Sequence, residues 1–311
     1  MSEPIVIQRL TKDFGGFIAV DDLSLTVPRR SFMGFLGPNG AGKTTAIKIL
    51  TNMLSATSGE ALLNGIDVTK DPKAALADVG AVVETPEFYP YLTPNETLAY
   101  LGELRGMSKE DIARRSKEVM ETVKMTDWAD KRIGKFSKGM KQRVAIAQAI
   151  LHEPTVIILD EPTSGLDPRG MVEVRDILNE LKKADYTVFM SSHLLNEVQE
   201  VCTDVALINR GKLLRSGSVA ELVGAATVRR IEVRTSQQVS GEVLNKVSRL
   251  EGISEIRAAG EHQFTFSMEG GDEAQARMLT GIQSLGLNVV SFKESGLALE
   301  SLYMSLIKES R

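Results

Sequence analysis

The chain has 311 residues, 42% hydrophobic and 25% charged, with 37 Lys and Arg against 41 Asp and Glu for a net charge of −4. That length suits roughly two domains, and the charge balance supplies no basic field for a phosphate backbone, which argues against nucleic acid as a partner. Cys202 is the only cysteine, no run approaches the roughly 20 apolar residues of a spanning helix, and the first residues, MSEPIVIQRL, lack a secretory pattern, so the expectation is a soluble, cytoplasmic chain without an internal disulfide.

In chain order, PIVIQRL and LSLTV alternate apolar and polar residues and predict two strands, with a turn at Gly15 and Gly16 between them. FMGFLG is a short apolar run, a buried strand that enters a glycine-rich loop. A helical pattern runs from Lys43 through Ile47, Leu50 and Leu54. GEALLNGIDV reads as a short β piece, and the charged stretch from about Thr93 to Leu151 as mostly helix. TVIILD and TVFMSS are two further buried strands, with helices expected over 171–183 and 193–201. DVALINRGKLLRSGS predicts a hairpin turning at Arg210-Gly211. Strands that alternate with helices argue for a mostly parallel sheet covered on both faces, an α/β fold.

Near residue 224 the pattern restarts. VRRIEVRT, ISEIRAA, HQFTFSM and NVVSFKE read as strands, and Gly241–Leu250 and Glu273–Leu285 as helices. The order is βαββαβ, that of a small ferredoxin-like α+β domain. A last amphipathic helix is expected from about Ala298 to Lys308. The boundary is set near Ala225, giving domains over 1–224 and 225–311.

Three stations carry chemistry. Gly37-Pro38-Asn39-Gly40-Ala41-Gly42-Lys43-Thr44 fits G-x-x-x-x-G-K-[ST] without mismatch. Glycines let successive N–H groups curl inward at phosphate oxygens, and the helix start adds its positive end. Lys43 would reach the β- and γ-phosphates, and the Thr44 hydroxyl would ligate Mg²⁺. The loop by itself says nucleoside triphosphate, without choosing between kinase, GTPase and ATPase. In TVIILDEPTSGLDP, four apolar residues place Asp160 at the C-terminal edge of a strand, where sheet ligands bind. Asp160 suits Mg²⁺, and Glu161 is placed to polarise an attacking water as general base. VFMSSH ends a third strand on His193, where an imidazole would bond the γ-phosphate. His152, near Pro154, and His262, in a hairpin, read as surface residues.

The ordered motifs GPNGAGKTT, FSKGMKQR, IILDEP, SGLD and SSH resemble the ATP-binding cassette family over residues 4 to about 222. The resemblance implies a P-loop NTPase fold: a RecA-like core, an antiparallel β part and a helical subdomain over about 88–152. It implies ATP and Mg²⁺ as cofactors, with the loop through Thr45 wrapping the phosphates. Phe14 matches the aromatic that stacks on adenine, with Val20 nearby, although an ordinary core Phe is the alternative. Ser137 would cap a helix whose start, with Gly139, contacts ATP held by the other subunit of a head-to-tail dimer. Asp167 matches the loop that couples the two sites.

The sequence departs from the family's L-S-G-G-Q at Phe136, Lys138 and Met140. It also has Glu84 where many members carry a glutamine that touches Mg²⁺ and the transport partner, and a carboxylate there remains a hard oxygen ligand. ETPEFYPYLTPNETL looks like the exporter subgroup that includes bacitracin- and lantibiotic-resistance ATPases, in which a C-terminal domain also follows the cassette. The leading expectation is therefore the ATPase subunit of an exporter, peripheral on the cytoplasmic side of the membrane. Its partners would be a separate transmembrane permease and a second nucleotide-binding subunit, in a homo- or heterodimer. Residues Glu84–Tyr91, with Phe88, Tyr89 and Tyr91, would dock the permease or else form core of the helical subdomain. The C-terminal domain would regulate or steady the dimer, or serve only as a packing appendage. The alternative class is a soluble ATPase of this type in a non-transport process; a small-molecule kinase predicts neither FSKGM nor SGLD.

Overall fold

The computed structural model describes residues 3–224 and 228–294, together with Leu299, Leu302, Tyr303, Leu306 and Ile307 of the expected last helix, all five helical. The chain divides into two compact units, residues 1–217 and 218–311. The boundary expected at Ala225 itself lies outside the described residues.

The first unit is built on two sheets. One has four antiparallel strands in the order Ile18–Val27, Ile5–Asp13, Ser58–Leu63 and Ile66–Asp67. The other has six, in the order Lys212–Ser218, Asp204–Asn209, Phe32–Leu36, Thr187–Ser192, Val156–Leu159 and Val79–Val82. Its last five strands run parallel. Every residue of Phe32–Leu36, Val156–Leu159 and Thr187–Ser192 is buried. Strands covered on both faces need not alternate, which is why none of these three shows an apolar–polar period in the sequence. The hairpin 204–218 turns at Arg210 (φ 48°) and Gly211 (φ 79°). Two successive positive φ angles give the turn whose twist matches its strands.

The sheet's C-terminal edge positions the site. Leu36 is in register with Ser192, and Leu159 with Met190. The segments that follow these strands therefore leave side by side, and the N–H of Gly37 donates to the carbonyl of Ser192 at 3.3 Å. The helix Lys43–Leu50 starts at once. It ends before Leu54, contrary to the periodicity, because Asn52 takes a left-handed φ of 55° and turns the N–H groups of Met53 and Leu54 back onto the Lys48 carbonyl. The charged middle stretch forms helices Pro94–Leu104, Lys109–Thr122 and Lys138–Ile150, with two short 3-10 turns, Thr126–Trp128 and Ile133–Lys135, between the last two. Thr93 and Glu96 close a reciprocal capping box at the first of these, satisfying two otherwise orphaned N–H groups.

Val79–Val82 and the short helices Pro72–Leu76 and Val219–Gly224 have no counterpart in the sequence reading. The strand is four residues long and contains Gly80, so it offers too few side chains for a period. That glycine sets how close the helix Lys138–Ile150 comes: a Cβ at Gly80 would lie 1.9 Å from the Ala149 carbonyl oxygen.

The second unit contains strands Val228–Thr235, Ile253–Gly260, Gln263–Glu269 and Val289–Glu294, with helices Gly241–Val247 and Asp272–Ser284 between them. The sheet is antiparallel in the order 253–260, 263–269, 228–235, 289–294. Ile231, Val233, Phe264, Phe266 and Met268 point to one face, where Val247, Met278 and Ile282 cover them.

Gly80→Ala should lower stability by about 1–3 kcal/mol, because the added methyl must push backbone from backbone. Urea denaturation checks this; an unchanged midpoint would show that helix and strand are not in contact there.

Candidate functional site

The glycine loop is pinned from three directions. Gly42 has φ 103°, and a Cβ there would lie 2.2 Å from the Ala19 carbonyl oxygen on the first sheet. The Ala41 carbonyl accepts from the N–H of Gly211, whose own carbonyl accepts from Asp21 at 3.0 Å. The buried Lys43 folds its ammonium back into the loop, donating to the carbonyls of Gly37 (2.8 Å) and Pro38 (3.1 Å). Asn39 and Gly40 stay exposed, Thr45 is partly buried, and Gly40 has φ 80° with nothing within 4 Å of a built Cβ. The result is a curled main chain with a cation at its centre and room on its outer side, a cradle that fits a polyphosphate.

Across from it stand the carboxylates. Asp160 is buried, and its Oδ1 accepts from the hydroxyls of Ser191 (2.6 Å) and Thr44 (3.2 Å). Its N–H donates to the Val82 carbonyl at 2.8 Å. Glu161 has its Oε1 3.3 Å from the Lys43 ammonium and its Oε2 3.0 Å from His193 Nδ1. A carboxylate offers only lone pairs, so Nδ1 carries the proton between them. Glu161 N–H donates to Ser191 Oγ at 2.9 Å.

Glu84 follows the edge strand Val79–Val82 and pairs with Lys48 Nζ at 2.5 Å. Both Glu84 (φ 61°) and Glu161 (φ 45°) sit in the left-handed region. A non-glycine residue adopts it at some cost, and such outliers gather at functional sites.

Glu84, Asp160, Glu161 and Thr44 line one cavity of about 670 Å³ with Lys138 and Gln142. Among the described residues no three His, Cys, Asp or Glu side chains gather as a metal site. The hard-oxygen set at hand is the Thr44 hydroxyl with Asp160, and Glu84 on the same cavity. That set suits Mg²⁺, which takes few protein ligands and completes its shell with phosphate and water.

The other expected residues stand apart from this cluster. Phe14 is 53% exposed on the hairpin turn, with Lys12 Nζ 4.9 Å above its ring, so it is not a core residue; Val20 is fully buried. Ser137 caps the helix Lys138–Ile150, accepting from Met140 N–H at 3.2 Å. Asp167 caps the helix Pro168–Lys183, accepting from Gly170 N–H at 3.1 Å. A Cβ at Gly139 would lie 3.6 Å from Gly170 Cα, so the two helix starts are neighbours. Lys138 and Gln142 reach their own chain's cavity; Ser137, Gly139 and Asp167 are not part of its wall.

Ser191 is the residue the sequence reading passed over, although it stands beside His193 in SSH. His152 is not a surface residue: its ring nitrogens are shielded from water, and burial with the charge of Arg105 pushes its imidazole down to about 4. His262 is exposed. Tyr89 and Tyr91 are 54% and 62% exposed, with ring centroids 5.7 Å apart and Tyr100 edge-on to Tyr89 at 6.5 Å, so these two are not core of the helical part. Phe88 is partly buried and lines a separate groove of about 390 Å³ with Met53 and Arg105.

A family model described as ABC transporter matches residues 20–164. The bacitracin transport ATP-binding protein BcrA of Bacillus licheniformis is 42% identical over 215 residues, 69% of this chain and 69% of that protein. The uncharacterized ABC transporter ATP-binding protein YxlF of Bacillus subtilis (strain 168) is 34% identical over 308 residues, 97% of this chain and 98% of that protein. A solved ATP-binding subunit of an ABC transporter superposes with a TM-score of 0.63 at 27% identity, covering 70% of this chain and 91% of that one.

Proposed function

The chain belongs to the ABC transporter family as an ATP-binding subunit, an ABC-type ATPase, and from that premise we propose that it hydrolyses ATP to power an exporter whose membrane part is a separate permease. The observation that carries the mechanism is the Glu161 carboxylate suspended between Lys43 at 3.3 Å and His193 at 3.0 Å. In this reading the terminal phosphates take over the Lys43 ammonium from the Gly37 and Pro38 carbonyls. Glu161, relieved of that cation, accepts a proton from the attacking water, and His193 holds the carboxylate in line and bonds the γ-phosphate. Bound Mg²⁺, held by Thr44 and Asp160 with Glu84 on the same cavity, would neutralise charge that develops on the phosphates. Phe14, exposed on its turn, is free to stack on the base.

Ser137 and Gly139 are assigned to ATP held by a second nucleotide-binding subunit. Support comes from Ser137 heading a helix start that stands outside its own chain's cavity. A site completed across an interface is how nucleotide would close two subunits and hydrolysis release them. The second unit is read as a ferredoxin-like domain, on its βαββαβ order and antiparallel sheet with Val228–Thr235 inside. The exporter assignment leans on the likeness to the bacitracin transport protein. Among the described residues no helix is long and apolar enough to cross a membrane. The exposed Tyr89, Tyr91 and Tyr100 cluster is offered as the permease-docking face, on the cytoplasmic side of the membrane.

Glu161→Gln should keep ATP binding and lower turnover by about 100-fold or more, so that ATP-bound dimers accumulate on gel filtration; wild-type turnover would remove Glu161 from the role of base. Paired alanines at Tyr89 and Tyr91 should release the chain from the membrane fraction that carries its permease. Unchanged co-purification would move the docking face elsewhere.

A further inference from the structure

The strand end Ser191-Ser192-His193 touches more of the site than its histidine. Ser191 holds Asp160 and the Glu161 N–H. Ser192 does something different. Its carbonyl accepts from the N–H of Gly37, at the mouth of the glycine loop. Its hydroxyl accepts from the Leu194 N–H at 3.0 Å, bending the chain where His193 leaves the sheet, and donates to Glu197 Oε2 at 2.7 Å. Glu197 is 3% exposed, on the helix Leu195–Val201, and its Oε1 has no hydrogen-bond partner. On the buried side of that helix, Val198 and the C-cap residue Cys202 press on Gly34 of the central strand, within about 3 Å of where a Cβ would stand. A buried carboxylate is costly unless it is hydrogen-bonded, and the bond this one makes is to Ser192.

We propose that Glu197 is a positioning residue for ATP hydrolysis: through the Ser192 hydroxyl it fixes the main chain that both receives the Gly37 N–H and carries His193, and so keeps His193 Nδ1 on Glu161. The proposal rests on the reading of Glu161 and His193 given above. Removing the acceptor frees the Ser192 hydroxyl to rotate and lets the bend at 192–194 relax. Lys43, Thr44 and the loop remain, so nucleotide binding survives while the alignment of Glu161 is lost.

The test is steady-state ATPase kinetics on the full-length chain with Mg-ATP, with melting temperature followed in parallel. Glu197→Ala and Ser192→Ala should each lower kcat about tenfold, the equivalent of one lost hydrogen bond, with KM for ATP within about twofold. Glu197→Gln still accepts from Ser192 and should restore most of the loss. In a His193→Ala background, Glu197→Ala should cost nothing further, since both act through one contact. Equal losses in the Ala and Gln variants, or losses that multiply in the double variant, would overturn the proposal. Should Glu197→Ala not fold, Ser192→Ala and Glu197→Gln decide alone: normal kcat in the first or a full loss in the second overturns it. An impaired His193→Ala beside a normal Glu197→Ala sinks only the role of Glu197. Normal turnover in His193→Ala sinks the reading of His193 itself, and this proposal with it.

Discussion

One carboxylate organises this site. Glu161 follows a fully buried strand in a left-handed conformation, with an ammonium on one oxygen and an imidazole on the other. Each of those partners comes from a different loop at the same sheet edge. Lys43 arrives with the glycine loop after Phe32–Leu36, and His193 with the end of Thr187–Ser192. The arrangement exists because the central strands are parallel and in register. A slip of one residue would turn buried side chains to the opposite face and carry Asp160 and Glu161 out of reach of both.

Three of the cavity's carboxylates have their own donors. Asp160 takes two hydroxyls, from Thr44 and Ser191; Glu161 takes Lys43 and His193; Glu84 takes Lys48. Glu87 lines the same cavity, and carboxylates this close repel one another unless donors offset their charge. Lys43 and Lys48, which hold Glu161 and Glu84, lie on the first helix after the glycine loop. Arriving phosphates would therefore compete with the carboxylates for the same ammonium groups. In the proposed mechanism, that competition would link occupancy of the loop to the freedom of Glu161.

Much of this was legible in the residues, for identifiable reasons. Buried parallel strands show an apolar stretch without alternation, so VIIL and the VFM of TVFMSS place Asp160, Glu161 and His193 at one edge. The second unit was equally plain, since Ile231 and Val233 face inward while Arg230 and Arg234 face out. Elsewhere the signal was missing. Val79–Val82 is too short and too glycine-dependent to show a period, yet it carries the chain to Glu84. Leu54 continues an apolar spacing that the backbone abandons at Asn52. PEFYPYL has no period at all, so the exposure of Tyr89 and Tyr91 could only be read from the fold. Ser191 sits in the SSH motif, but its contact to Asp160 bridges 31 residues, and nothing in the spacing of Ser192 and Glu197 announces the bond between them.

The most direct test of the account is a structure of the full-length chain carrying Glu161→Gln with Mg-ATP bound. The account predicts the triphosphate in the curl of Gly37–Thr44, its γ-phosphate on Lys43 and within hydrogen-bond reach of His193, with Ser137 and Gly139 of a second subunit closing over it. A closed assembly in which that helix start lies far from any phosphate, or in which Lys43 stays on Gly37 and Pro38 with nucleotide bound, would contradict it.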